Sequence, residues 1–224
     1  MYTTGTNPNY QYSTKMGEDL ENDYEEVIAG KDAVRSWYGA FIALTDGENT
    51  VHCIWKYKMG DTDPTNLDAI RLKDDANWII YRMADVMLMK AEALIWKGKE
   101  NWQEAVDIIN QIRTRANLLE KTIAIDEEDE SSMMENYLLP ERNIELAAEG
   151  KRWYDMIRYA KSKNYAHKSA FIALVQQYNT TANASWIRSV LQNEYAWYLP
   201  IHADEIENNT LLVQNPYYGI TGNN

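Results

Sequence analysis

The clearest pattern of apolar and polar positions lies in residues 81–98, which read YRMADVMLMKAEALIWKG. The apolar side chains recur at helical spacing, at Ala84, Met87, Leu88, Ala91, Leu94 and Ile95. Four charged residues interrupt the run, and each would be costly in lipid: Arg82, Asp85, Lys90 and Glu92. The pattern therefore predicts a packed amphipathic helix that ends at Gly98, and it excludes a membrane span.

A second helix is predicted to follow after a short turn. Asn101, with Glu104 three residues later, has the form of a capping box. The apolar stripe of this helix comprises Val106, Ile109, Ile112 and Ala116. Together the two helices predict a hairpin of tetratricopeptide type, with Ala93 as the small residue at the crossing and Ala105 and Ile109 at packing positions. One such hairpin cannot bury both of its faces, so further helices are required.

Helices are also predicted downstream. Ser132 with Glu135 resembles a capping box that opens a helical region, MMENYLLPERNIELAAEG, with a kink at Pro140. The helix is predicted to continue through KRWYDMIRYAK, and residues 168–178 and 184–193 are predicted to be helical. The final block, YLPIHADEIENNTLLVQNPYY, mixes extended segments with one helical turn at ADEIE. Residues 117–131, which contain DEEDE, are predicted to form a solvated loop.

The upstream part of the chain is less regular. Residues 1–30 are polar and are predicted to be irregular, with a short helix near 18–28. AVRSWYGAFIAL, at 33–44, is predicted to be helical, TDGENT to be a turn, and VHCIWKYKM to be extended. The whole pattern predicts an all-α fold of tetratricopeptide-like helical hairpins, with extended loops and little or no sheet.

Composition narrows the possible functions. A formal net charge of −12 argues against nucleic acid as a partner, because phosphate binding needs clustered Lys and Arg. Cys53 is the single cysteine, and the three histidines lack metal-ligand spacing, so we expect no metal and no cofactor. Sixteen tyrosines and eight tryptophans stand against two phenylalanines, and rings with a polar tip suit sugar-stacking platforms and protein interfaces.

The sequence makes no positive case for an enzyme. Glu141, Glu145 and Glu149 share one helix face, and paired carboxylates can hydrolyse glycosides. Arg142 and Arg152 lie on the same helical stretch, however, and ion pairing within the helix explains the pattern more simply. An all-α glycoside hydrolase is therefore the weakest of the alternatives considered.

Four blocks in order over residues 77–218 resemble the C-terminal half of SusD/RagB-type proteins: YRMADVMLMKAEAL, AVDIINQIRTRANL, ERNIELAAEGKRWYDMIRYAK and YLPIHADEIENNTLLVQNPYY. The resemblance implies a non-catalytic helical protein that is lipid-anchored at the outer-membrane surface of Bacteroidetes. Such a protein binds a glycan or other nutrient and covers a SusC-type TonB-dependent transporter. The family's leader and lipidated cysteine are absent here, and the length is about half of the usual, so we expect a fragment of a longer chain.

The resemblance also implies a domain organisation and a set of structural residues. Residues 1–224 are expected to form one helical domain, with a loop-rich aromatic region at 1–65 and a SusD-like helical region at 66–224. His202 stands where the family often has Pro, and Tyr217 where it often has Gly. Ten charged motif residues are expected to form pairs that lock helices together: Arg82, Asp85, Glu92, Arg113, Glu141, Arg142, Glu145, Glu149, Arg152 and Asp155.

Ligand contacts in such proteins resemble aromatic platforms with polar neighbours, carried by loops outside these blocks. The best candidates lie within residues 22–57: Tyr24, Trp37, Tyr38, Trp55 and Tyr57. The leading hypothesis is a glycan-binding subunit that works beside a transporter. The alternative is a tetratricopeptide-like adaptor that binds a protein partner in a groove, and solvent-facing clustered rings would favour the glycan. Helices separated from their packing partners would expose apolar faces, so we also expect self-association.

Overall fold

A computed structural model describes residues 77–124, 129–179 and 182–219, the backbone of residues 41–46 and 49–54, and Lys56. The chain divides into two compact units, residues 1–152 and residues 153–224. Helices make up most of the described residues. In these ranges, no helix has both the length and the apolar character needed to cross a membrane.

The β-structure in the described residues is a single hairpin in the first unit. Strand β1 (Phe41–Asp46) pairs antiparallel with strand β2 (Asn49–Ile54), and Asp46 lies opposite Asn49. Two residues, Gly47 and Glu48, therefore link the strands.

This hairpin corrects one prediction and confirms another. The helix predicted over residues 33–44 is wrong for residues 41–44, which belong to β1. Extended structure predicted from residue 51 is confirmed as far as Ile54. The apolar run FIAL is too short for its period to separate helix from strand, and pairing with a β-branched partner strand decides the outcome.

Helix α1 (Met83–Lys97) is the amphipathic helix predicted from the apolar stripe. Its face toward the core includes Leu88, Ala91 and Ile95, which are completely buried. The helix ends at Gly98, whose φ of 122° is unfavourable for any residue with a Cβ. The prediction of a packed amphipathic helix is confirmed, and α1 is not a membrane-spanning helix.

Helix α2 (Trp102–Arg115) follows after one 3₁₀ turn (Lys99–Asn101) and packs against α1. The buried indole N–H of Trp102 donates a hydrogen bond to the carbonyl of Ile95 at 3.2 Å, which joins the facing ends of the two helices. Ala105, Val106 and Ile109 on α2 are completely buried. The predicted helical hairpin is therefore confirmed.

Two local predictions about this hairpin are wrong. Ala93 does not lie at the crossing, since it is exposed, whereas Ala91, two residues earlier, is completely buried. Positions two residues apart on a helix point in directions about 200° apart, so only one of them can face α2. The capping box does not form either, because Asn101 makes no side-chain cap and Glu104 pairs with Lys90 at 2.7 Å.

A broken helix follows the loop after α2. It consists of α3 (Glu130–Met133), a π-helical turn (Met134–Leu138) and α4 (Leu139–Glu145). Asp129 caps α3 by accepting a hydrogen bond from the Ser132 N–H at 2.9 Å, so the cap predicted at Ser132 is wrong. The interruption predicted at Pro140 takes the form of the π-helical turn. Proline lacks an N–H and clashes with the carbonyl four residues earlier, and a wider turn relieves both problems.

A tight turn leads from α4 to α5 (Arg152–Tyr165). Ala148 and Gly150 in this turn have φ values of 64° and 71°. The helix predicted for residues 151–161 is confirmed, and α5 becomes irregular at Ser162, where ψ is 154°. The carbonyls of Glu145 and Ala147, where this turn begins, accept hydrogen bonds in the site described below.

The second unit has its own core, formed by α5, α6 (Lys168–Tyr178), α7 (Ala184–Leu191) and a 3₁₀ turn (Glu194–Trp197). The helices predicted at 168–178 and 184–193 are confirmed, although α7 ends at Leu191. The buried core residues are Ile157, Ala160, Phe171, Ile172, Ile187, Leu191 and Trp197. The rings of Phe171 and Trp197 meet edge to face, with centroids 5.0 Å apart.

Two carboxamide side chains hold the end of the described chain, which includes α8 (Ala203–Asn208) and α9 (Pro216–Gly219). Gln214 bonds the backbone of Ile201 in both directions, accepting from its N–H at 2.9 Å and donating to its carbonyl at 2.8 Å. Asn215 donates to the carbonyls of Tyr195 and Tyr198. His202 caps α8 by accepting from the Asp204 N–H at 3.3 Å, so this helix starts well without the family's proline.

Candidate functional site

All five aromatic residues that the sequence suggested as ligand contacts lie outside the described residues: Tyr24, Trp37, Tyr38, Trp55 and Tyr57. Their placement stays a prediction. Lys56, which separates Trp55 from Tyr57 in the chain, is described. Its contacts show how Lys56 itself is attached to the helices.

Lys56 is anchored to the turn after α4. Its ammonium group donates to the carbonyls of Glu145 at 3.1 Å and Ala147 at 2.9 Å, and to Glu149 Oε1 at 2.7 Å. Burial lowers the pKa of Lys56, and the hydrogen bond to Glu149 only partly opposes this effect. A cation at the C-terminal end of a helix also complements the partial negative charge of its last carbonyls.

Arg82, immediately before α1, binds the same turn. Its guanidinium contacts Glu145 Oε1 at 2.6 Å and both carboxylate oxygens of Glu149 at 3.0 Å. Burial opposes the charge of Arg82, but hydrogen bonds to Glu149 and Glu145 outweigh it and raise the pKa of Arg82. Arg115 at the end of α2 also reaches Glu145 Oε1, at 2.5 Å. We call Lys56, Arg82, Arg115, Glu145 and Glu149 the glutamate cluster.

Two further buried pairs join α4 to the helical hairpin. Arg113 of α2 contacts Glu141 Oε2 at 3.0 Å, and both side chains are nearly inaccessible to solvent. Arg142 contacts Asp85 of α1 at 3.0 Å, and Lys151 reaches the other oxygen of Asp85 at 3.1 Å. Pairing within the helix was the sequence interpretation for the three glutamates. In the structure each of them has a partner on another segment.

The three remaining motif residues lie elsewhere. Glu92 is buried on α1. Arg152 donates to the carbonyl of Leu139 at 3.2 Å, within the first unit. Asp155 is buried in the second unit and pairs with Arg158, one helical turn away, at 2.9 Å.

The three glutamates of α4 and the turn after it are all engaged in ion pairs. The carboxylates of Glu141, Glu145 and Glu149 are buried, with at most 4% exposure, and they face cations. Hydrolysis of a glycoside needs two carboxylates that face a substrate, which this arrangement does not provide. Within the described ranges, no three His, Cys, Asp or Glu side chains are grouped as a metal would require. Breaking such a pair is strongly destabilising, so the cluster fixes how the segments of the first unit fit together.

Sequence reasoning missed three cations of this network: Lys56, Arg115 and Lys151. Arg115 and Lys151 lie inside the family blocks, close to the charged motif residues Arg113 and Arg152. The blocks could therefore have identified them. Lys56 had no such signal. Its bonds span 89 to 93 residues of sequence, and local periodicity contains no information about contacts at that distance.

Exposed aromatic rings occur in both units. Trp78 and Tyr81, on the segment before α1, are 61% and 68% exposed. In the second unit, Trp186 on α7 is 62% exposed. Tyr198 in the same unit accepts a hydrogen bond from Lys161 at 3.2 Å. These rings were not among the sequence candidates, although their residue types are the ones expected at a carbohydrate-stacking surface.

A paired-helix scaffold with charged residues locking its helices is the architecture that the four sequence blocks suggested. The model of the SusD family matches residues 1–218 of this chain. The chain belongs to the SusD family. Two curated relatives come from Formosa agariphila: SusD-like protein P38 is 40% identical over 96 residues, and SusD-like protein P2 is 32% identical over 152 residues. These matches cover 40% and 65% of this chain, but only 18% and 27% of the relatives.

A solved structure agrees with the fold. A SusD superfamily protein from Bacteroides thetaiotaomicron superposes with a TM-score of 0.59 at 22% identity. The superposition covers 96% of this chain and 40% of the solved chain, so this chain spans less than half the length of that protein. The predicted all-α, tetratricopeptide-like fold is confirmed, with the β1 and β2 hairpin as its small amount of sheet.

Proposed function

We propose that this chain is part of a non-catalytic nutrient-binding protein that binds glycans. Membership of the SusD family, from the match over residues 1–218, is the observation that carries the proposal. The locked helical scaffold supports it, because a preformed surface binds a flexible chain with less loss of entropy than a mobile one. The buried carboxylates support a binding role over a hydrolytic one.

The proposal includes a location and a partner. The protein acts at the outer-membrane surface as a lipid-anchored subunit and delivers its glycan to a SusC-type TonB-dependent transporter. Two observations test this part: a gene for such a transporter beside the gene for this protein, and co-purification of the two proteins from membranes. Absence of both would contradict the partnership while leaving glycan binding open to its own test.

Isothermal titration tests the binding function directly. The chain is titrated with neutral oligosaccharides of several linkages, with acidic oligosaccharides, and with mixed peptides from a protein digest. We expect heat of binding from at least one neutral oligosaccharide. Failure to bind every member of the panel would contradict the proposal.

The second candidate is a tetratricopeptide-like adaptor, which the packed α1 and α2 hairpin favours. It predicts the opposite result in the same experiment. Peptides would give heat of binding and oligosaccharides would not, because a groove between helix pairs recognises extended or helical peptide chains.

A further inference from the structure

The end of α5 contains a turn of the opposite hand to the helices on either side. Lys163, Asn164 and Tyr165 are consecutive, and all three have positive φ, at 47°, 56° and 65°. L-residues other than Gly adopt this region singly, because it brings Cβ close to the following carbonyl oxygen. The N–H of Ala166 donates to the carbonyl of Ser162 at 3.2 Å, which closes one turn around them. We call residues 163–165 the left-handed turn.

The local sequence does not favour a reversal of hand at this point. Between Gly150 and Pro200 the chain contains neither glycine nor proline. The stretch from α5 to α6 therefore lacks the residues that usually end one helix and allow a positive φ. The left-handed turn is strained, and such strain persists only where contacts with the surrounding structure hold it.

Tyr165 holds the left-handed turn through both parts of its side chain. Its ring meets the buried indole of Trp197 edge to face, with centroids 6.1 Å apart. Its hydroxyl donates a hydrogen bond to the carboxylate of Glu194. The Trp197 indole is itself fixed, because its N–H donates to the carbonyl of Leu191 at 2.9 Å. The last residue of the left-handed turn is thus tied to both ends of the 3₁₀ turn Glu194–Trp197.

The chain is also held before and after the left-handed turn. At the start of α6, Lys168 donates to Glu194 Oε1 at 3.2 Å and to the carbonyl of Gln192 at 2.9 Å. Before the left-handed turn, Lys161 donates to the hydroxyl of Tyr198 at 3.2 Å. Glu194 is the group that these contacts share, since it bonds a residue of the left-handed turn and the first residue of α6.

The charge of Glu194 depends on the groups that face it. The hydrogen bond from Tyr165 and the hydrogen bond and charge of Lys168, with a smaller contribution from Lys161, outweigh desolvation and lower the pKa of Glu194 from its ordinary 4.5. The ionised carboxylate therefore stabilises the folded chain above about pH 4.5. This stabilisation is lost as the pH falls through the lowered pKa, because a protonated carboxyl no longer attracts Lys168.

We propose that Glu194 and the left-handed turn form a pH-sensitive latch, in which ionised Glu194 holds the turn closed and protonated Glu194 releases it. In the open form, Tyr165 leaves Trp197, and residues 162–167 lose their left-handed conformation. The connection between α5 and α6 then becomes mobile. The latch is a property of the second unit alone and does not depend on the proposed function.

Trypsin measures the opening of the latch, because a protease cuts only a locally unfolded chain and two of its target residues, Lys161 and Lys163, lie at the turn. Glu194→Gln and Tyr165→Phe should be cut there about fivefold faster than the parent, as loss of one hydrogen bond or ion pair would shift the opening equilibrium. Mass spectrometry identifies the cleavage sites, and circular dichroism establishes that each variant is folded.

Glu207→Gln is the matched control, because Glu207 is an exposed acid on α8 of the same unit. Its cleavage rate should equal that of the parent. Equal rates in the parent, Glu194→Gln and Tyr165→Phe would overturn the latch. Equal acceleration in Glu207→Gln would overturn it too, since any lost negative charge would then have the same effect.

Glycine substitution tests the strain. Lys163→Gly should have a higher Tm than Lys163→Ala, because both variants lose the same side chain and only Gly adopts a φ of 47° without strain. In an ordinary helix the order is reversed, since Gly is the poorer helix former. A Tm for Lys163→Gly at or below that of Lys163→Ala would show that the turn is not strained and would overturn the latch.

Thermal unfolding at several pH values tests the role of Glu194 protonation. Between about pH 3 and pH 7, the Tm of the parent should exceed that of Glu194→Gln at the neutral end and approach it at the acid end. The comparison removes the effect of the chain's other carboxylates, which the two proteins share. A Tm difference that is constant with pH, or larger in acid, would overturn the latch.

Discussion

At the scale of single residues, burial decides what each ion pair contributes. Arg113 and Glu141 are paired at 3.0 Å with both side chains inaccessible, whereas Lys90 and Glu104 are paired at 2.7 Å with more than half of each side chain exposed. By distance alone, the Lys90–Glu104 pair would be the stronger of the two. Solvent screening and side-chain entropy reduce an exposed pair to little net stability, while a buried charge depends on its partner.

We expect Arg113→Met to lower the free energy of unfolding by about 3 to 5 kcal/mol, because Glu141 would keep a buried charge without this cation. Lys90→Met is the exposed control and should cost less than about 1 kcal/mol. Urea unfolding followed by circular dichroism measures both. The double variant Arg113→Met with Glu141→Leu should be more stable than Arg113→Met alone, and the reverse order would contradict this account.

Lys56 predicts a dependence of stability on alkaline pH. Burial lowers its pKa in the folded chain from the ordinary 10.5. Between the lowered value and pH 10.5, the unfolded chain keeps a proton that the folded chain has released. Stability should therefore rise with pH in that window, relative to a Lys56→Met variant that lacks the group. Unfolding free energies of parent and variant at several alkaline pH values give the difference, and a constant or falling difference would exclude the effect.

At the scale of elements, the α1 and α2 hairpin shows which alanine of α1 is important for helix packing. Ala91→Leu should lower the free energy of unfolding by about 1 to 3 kcal/mol, because the added atoms have no space between the helices. Ala93→Leu adds the same atoms on the exposed side of α1 and should change stability by less than about 0.5 kcal/mol. Thermal unfolding of both variants measures the two changes in stability. Equal losses of stability would mean that Ala91 does not lie at the helix crossing.

The same elements show how far sequence reasoning extends. Helices with long apolar stripes, such as α1 and α2, were predictable because period and length are local properties. The strand at Phe41–Asp46 was not, since a short apolar run becomes a strand only when a partner pairs with it. The cap at Asp129 was missed in favour of Ser132, because several neighbouring side chains could make the same bond.

The candidate site was less predictable than the fold. Family blocks identified Arg82, Glu145 and Glu149 as charged residues, but sequence could not give their partners on other segments. The exposed rings at Trp78 and Tyr81 were overlooked because residue type does not reveal exposure. Aromatic residues in apolar stretches are usually buried, and their position beside the turn after α4 is a property of the folded chain.

At the scale of the whole molecule, exposed apolar side chains predict self-association. The first unit exposes Trp78, Ile80, Tyr81, Met83, Val86 and Met89. Soluble monomers rarely expose so many large apolar groups along one short segment. Light scattering over a range of concentrations should therefore give a mass above that of one chain.

Paired substitutions locate the association. Val86→Glu with Met89→Glu should shift the equilibrium toward the monomer, because both side chains lie on α1 one turn apart and would repel the same residues of a second copy. Gln111→Glu is the control, because it adds a negative charge at an exposed position of α2, and it should leave the mass measured by light scattering unchanged. A parent that remains monomeric at every concentration would refute the prediction.

The bonds of Lys56 also set an order of events during synthesis. Its three acceptors lie 89 to 93 residues later in the chain, so the ribosome releases the lysine well before them. At a typical 5 to 20 residues per second, the delay is roughly 5 to 20 s. During that interval the Lys56 ammonium has none of these three acceptors and stays hydrated. Lys56 is therefore among the last described residues of the first unit to make its final contacts, although it is among the first to be synthesised.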